Sequence, residues 1–145
     1  MLNQMPPEIV ADDEQIASII FSPSMIINGD VSPTAFQLRM LKKPEDYVSV
    51  FRENYLIPTR ANVDMIKPPA DNIVYGYASL KVQKCRGVGF NGVSIDVLAH
   101  PNARNPFHAG IHFSKDGMAI KGTCRLPEFI VVASRLAKTA KLVAF

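Results

Sequence analysis

Cysteine is scarce in this chain, and a long apolar run is missing. Of 145 residues only Cys85 and Cys124 carry thiols. No Cys-x-x-Cys spacing joins them, so neither a disulfide framework nor a zinc knuckle is expected, and both read as buried thiols. The longest apolar stretches, around Ile16 to Phe21 and Ile130 to Ala133, fall far short of the roughly 20 residues a membrane-spanning helix needs. No membrane association is therefore expected. The first residues carry acids at Glu8, Asp12, Asp13 and Glu14 where a leader peptide would be basic, which reads as a cytoplasmic protein. The signatures Gly-x-Ser-x-Gly, His-Glu-x-x-His and the P-loop are absent, which removes the common hydrolase and nucleotidase motifs. No internal repeat is apparent.

What is present is the composition of a single folded domain spanning 1–145, with 48% hydrophobic and 20% charged residues. A chain this long can bury about two-thirds of the surface its unfolded form exposes, and so needs no structural metal. Charge is unevenly placed. Residues 1–72 hold six Lys/Arg against ten Asp/Glu, and residues 73–145 hold ten against three, or −4 and +7. Either the halves neutralise one another inside the fold, or the second half offers a basic surface to an anionic partner. Seven of the eight glycines lie between 76 and 122, which marks that region as turn-rich β structure.

Asp12 and Gln15 resemble a capping box, and Ile16, Ile19 and Ile20 follow at helical spacing, which predicts a short N-terminal helix over 13–21. Phe36, Leu38 and Met40 alternate with polar residues as in a strand, and 47–51 is rich in β-branched and aromatic residues. Residues 58–71 contain three prolines and no apolar period, and read as a long loop. A long strand is expected over 73–84. Asn91-Gly92 and Asp116-Gly117 are hairpin signals, because a type I′ turn needs positive φ at both central residues. The first would pair Phe90 with Val93 and Gly87 with Asp96. The second would pair Lys115 with Met118 and His112 with Lys121. Pro127 and Glu128 then open a helix with Phe129, Val132, Ala133, Leu136, Ala140 and Val143 in one apolar stripe. The class is thus α+β: a largely antiparallel sheet, a short N-terminal helix, and an amphipathic C-terminal helix packed on one face.

Gly87 to Gly92 matches Gly-x-Gly-x-x-Gly, but the β-branched residues that follow suit a strand and not the phosphate-binding helix that motif requires. All three histidines, His100, His108 and His112, fall within thirteen residues. On a strand His108 and His112 share a face but stand about 13 Å apart, too far to chelate one ion. A metal site would need His100 folded back beside His108, so no metal and no cofactor is expected. A metal-free reading makes His100, His108 and His112 proton donors and acceptors, with Lys121 steadying negative charge on a phosphodiester. Lys81, Lys84, Arg86 and Arg104 are the candidate anion-binding groups, the first three interleaved with Tyr75, Tyr77 and Phe90.

Three functions follow as expectations. The leading one is a small binding or accessory module whose basic half engages nucleic acid or another phosphate-rich partner. The second is a metal-independent phosphodiesterase or ribonuclease. The third is a protein-interaction subunit, or a homo-oligomer formed through a strand edge or the C-terminal helix.

Overall fold

The computed structural model describes residues 6–39, 44–59, 62, 74–122 and 125–145. The expected long loop at 58–71, residues Met40 and Ile73, and Cys124 fall wholly or largely outside that set. The molecule is α+β, built on one antiparallel sheet with a main helix near its C-terminus.

The first strand, β1 (Gln15–Ile20), occupies the segment expected to be the N-terminal helix. The reason lies in its place at the centre of the sheet, between β4 (Tyr47–Arg52) and β5 (Gly76–Lys81). A central strand buried on both faces carries apolar residues without alternation, and a short run of that kind cannot be told from a helix by period. Ile16 and Ile20 enter the main core on one face, while Ala17 and Ile19 join a second cluster on the other. Asp12 caps no helix; its carboxylate pairs with Arg86 at 2.6 Å.

Between β1 and β4 the chain makes a 3₁₀ turn at Pro23–Met25, the small ribbon β2 (Ile26–Ile27) with β3 (Asp30–Val31), and a second 3₁₀ turn at Pro33–Phe36. The strand expected through Phe36 and Leu38 is not formed. Ser32 caps the second turn by accepting from the Thr34 N–H, and Pro33 begins it with φ already set. Phe36 and Leu38 reach the core from this irregular stretch instead.

The strand expected over 73–84 stops at Lys81, and Val82–Arg86 forms a short helix, α1. Consequently only one pair of the first hairpin survives, Phe90 with Val93. Its turn is nonetheless type I′, with Asn91 at φ 47° and Gly92 at φ 85°. Gly87 closes α1 and does not pair with Asp96.

β6 (Val93–Ala99) and β7 (His108–Lys115) form the longest ladder, seven pairs from Val93–Lys115 to Ala99–Ala109. β7 then turns at Asp116-Gly117 into β8 (Met118–Ala119), with Lys115 opposite Met118 as the turn chemistry dictates. The main helix, α2 (Pro127–Thr139), buries Phe129, Val132, Ala133 and Leu136 against the sheet. The stripe does not extend to Val143. Ala140 is extended, and the chain enters β9 (Lys141–Ala144), an edge strand beside β5. The full order is β6-β7-β4-β1-β5-β9. Among the described residues no helix is long and apolar enough to cross a membrane.

Candidate functional site

Alternation along β7 sends Ala109, Ile111 and Phe113 into the core and His108, Gly110, His112 and Ser114 to the opposite, outer face. The ladders extend that face sideways. Tyr47 lies beside His112 from β4, and Asp96 lies beside it from β6. The face is kept passable by Gly110. A Cβ there would stand 2.5 Å from the Tyr47 ring and 3.0 Å from the His100 ring, so the glycine is required for space.

Into that space Tyr47 lays its ring, with all three imidazoles around it. His100 stacks on it at 4.5 Å between centroids, and His112 and His108 lie at 5.1 and 5.9 Å. His100 follows directly on β6, at the start of the 101–106 loop. Asn102 and Asn105 shape that loop through side-chain acceptors: Asn102 takes the Arg104 and Asn105 N–H groups, and Asn105 takes that of Phe107. The His100 N–H donates to the His108 carbonyl at 2.8 Å, and His108 Nδ1 donates back to the His100 carbonyl at 2.9 Å. The His100 backbone thus sits beside His108, while its ring goes to His112, with the two Nε2 atoms 2.6 Å apart.

Electrostatics favours the neutral form of His108 and His112. Burial pushes the His108 pKa down, with the charge of His100 acting the same way against the hydrogen bond to the His100 carbonyl. Burial and then the charge of His100 also push His112 down, opposed by Asp46 and Asp96. Beside His112 an open depression of about 390 Å³ includes Ser94, Asp96 and Ser114 in its lining. The two serine hydroxyls are bonded across the ladder at 2.7 Å.

Lys121 does not stand in the ladder opposite His112. The hairpin continues one step past β8, with the Ile120 N–H on the Phe113 carbonyl, and then departs. Gly122, at φ 64°, donates to the Glu45 carbonyl, and Lys121 Nζ comes to lie 3.7 Å from Asp46. Arg86 is engaged too: it binds Asp12 and Asp96 and donates to the Val10 and Val97 carbonyls, so closing part of the open edge of β6. These carboxylates, outweighing burial, raise its pKa further. Lys81, Lys84 and Arg104 are exposed. Lys81 and Lys141 are diagonal neighbours on the outer face, since Ser79 pairs with Lys141 two residues before Lys81. Tyr75, Tyr77 and Phe90 do not line one hairpin with them, because α1 intervenes.

The sequence pointed to the imidazoles and not to Tyr47 or Asp46. Neither has a local signature; both join the site only through the pairing of β4 with β7. Cys85 is buried, and desolvation lifts its thiol to about 12, so it is no nucleophile. No known protein family, curated protein or solved structure matches this chain.

Proposed function

We propose that the chain is a binding module for an anionic, phosphate-rich partner such as nucleic acid, engaged by the exposed cations of its second half. The observation that carries this reading is how unevenly the fold uses its charges. Carboxylates of the acidic half are drawn into ion pairs: Glu14 with Arg52, Asp12 with Arg86, Glu45 with Arg39 and Asp46 with Lys121. Lys81, Lys84, Arg104, Lys138 and Lys141 are exposed and lie in no ion pair among the described residues. Mutual neutralisation therefore occurs, but Glu8, Asp13 and Asp30 of the first half are likewise exposed and in no ion pair among the described residues, so it is within the second half that exposed cations are in excess, which supports attraction of that half for polyphosphate. The hydrolytic alternative asks for Lys121 beside His112. With Lys121 turned to Asp46, the binding reading is the stronger.

Fluorescence anisotropy with single-stranded RNA and DNA tests it. Affinity should fall steeply between 50 and 200 mM salt, with a logarithmic slope of about −0.7 for each phosphate neutralised on a single strand. Absence of binding, or affinity indifferent to salt, rejects the proposal. A gel of the same mixtures separates binding from cleavage.

A further inference from the structure

Two imidazoles, His100 and His112, approach each other closely, and the anion reading makes no use of them. Their Nε2 atoms face each other at 2.6 Å. In the neutral pair one ring donates and the other accepts, so a single proton lies between two ring nitrogens. A metal ion about 2.0–2.1 Å from each nitrogen, in cis positions, would hold them about 2.9–3.4 Å apart. The rings need open by less than an ångström to admit one.

We propose that His100 and His112 form a site for a late first-row divalent cation, held through both Nε2 atoms with water in the remaining positions. Two carboxylates stand near the pair. Asp96 lies opposite His112 in the β6–β7 ladder, and Asp46 precedes Tyr47, the partner of His112 in β4. Both carboxylates act electrostatically on His112. Each already has a cation, Arg86 for Asp96 and Lys121 for Asp46, so neither is counted as a ligand. Among the described residues no group of three or more His, Cys, Asp or Glu side chains is placed to hold a metal ion, so the site proposed has only two protein ligands.

The ligands are held in place. His112 projects from the middle strand of a three-strand segment, and His100 is stacked on Tyr47 and tied by backbone to His108. His108 takes no part in the Nε2 pair: its Nδ1 hydrogen is on the His100 carbonyl. Imidazole pairs with open positions select along the series ending in copper, so Cu(II) should bind more tightly than Ni(II) or Zn(II).

The test is titration of the tag-free, full-length chain with Cu(II), followed by electron paramagnetic resonance and calorimetry. One equivalent should bind with a spectrum showing two imidazole nitrogens. H100A and H112A should each weaken binding by about tenfold or more, whereas H108A stays within about threefold, since it removes no ligand. Equal binding by wild type, H100A and H112A overturns the proposal, as does a wild-type chain that takes up no copper. Paramagnetic broadening of nuclear magnetic resonance signals keeps the test independent of variants that fail to fold. In the wild type it should centre on His100, His112 and Tyr47, and broadening centred elsewhere is equally fatal.

Discussion

At the scale of single residues, the most consequential pair is Arg52 with Glu14. Arg52 is 1% exposed, and its Nε and Nη2 bind the two Glu14 oxygens at 2.9 and 2.8 Å. Its Nη1 donates to the Pro7 carbonyl, and its guanidinium lies over Tyr55, so one side chain ties the N-terminal segment to β4. Burial alone would raise the Glu14 pKa. Hydrogen bonds from Arg52 and the Ala11 N–H, with the charges of Arg52 and Arg86, more than offset this and hold it below its ordinary value. A carboxyl depressed in the folded state contributes stability above its unfolded pKa, about 4.3, and loses that contribution as pH falls through the lower folded value. Thermal midpoints of the wild type should therefore drop below about pH 4, and E14Q should lack this part of the acid dependence. E14Q should also cost about 3–5 kcal/mol at pH 7, because it strands a buried guanidinium. Replacing both partners by methionine should recover much of that loss. A double variant no more stable than E14Q would show that Arg52 is held by something other than the carboxylate.

At the scale of elements, the turns at Asn91-Gly92 and Asp116-Gly117 were legible because their chemistry is local. Asp116 and Gly117 adopt φ 49° and 84°, values that side chains other than Asn, Asp and Gly rarely accept. A Cβ on Gly117 would meet nothing within 4 Å. G117A should therefore cost only the conformational term, about 1–2 kcal/mol, seen as a lower urea midpoint at unchanged slope. A changed slope would mean that the hairpin, and not one torsion, had been lost. The elements that escaped the sequence are those whose identity is decided by neighbours. Ile16 and Ile20, four apart, share a face in a strand as they do in a helix, so β1 betrayed itself only at Ile19, which goes to the other side. β9 was hidden because Ala140 and Val143 extend the helical stripe of α2 in sequence, while Ala140 turns the chain out of it. The imidazoles follow the same division. His108 and His112 on one face came from alternation, whereas the meeting of His100 with His112 depends on a loop closed by Asn102 and Asn105 and on a tyrosine from a distant strand.

At the scale of the whole molecule, the cations engaged in ion pairs with the first half and the exposed lysines in no ion pair among the described residues are different residues. Arg52, Arg86 and Lys121 pair with acids of the first half. Lys81 and Lys141 lie on β5 and β9, at the end of the sheet opposite β6, and Lys84 lies on α1, which leads from β5 toward β6; on that sheet end Glu53 accepts from the Ser79 hydroxyl at 3.2 Å. Reversing exposed charges that have no partner changes stability by about 0.5 kcal/mol or less each. The triple variant K81E/K84E/K141E should therefore unfold within a few degrees of wild type, as judged by circular dichroism. Its net charge moves from +3 to −3, three lysines being replaced by three glutamates. If these lysines form the surface for polyphosphate, RNA affinity should fall by at least about a hundredfold at low salt, and the salt slope should shrink with it. Unchanged affinity would relocate the anion surface to Arg104, Lys138 or residues outside this edge. A large loss of stability would instead show that the lysines serve the fold, and the separation of structural from functional charge would fail.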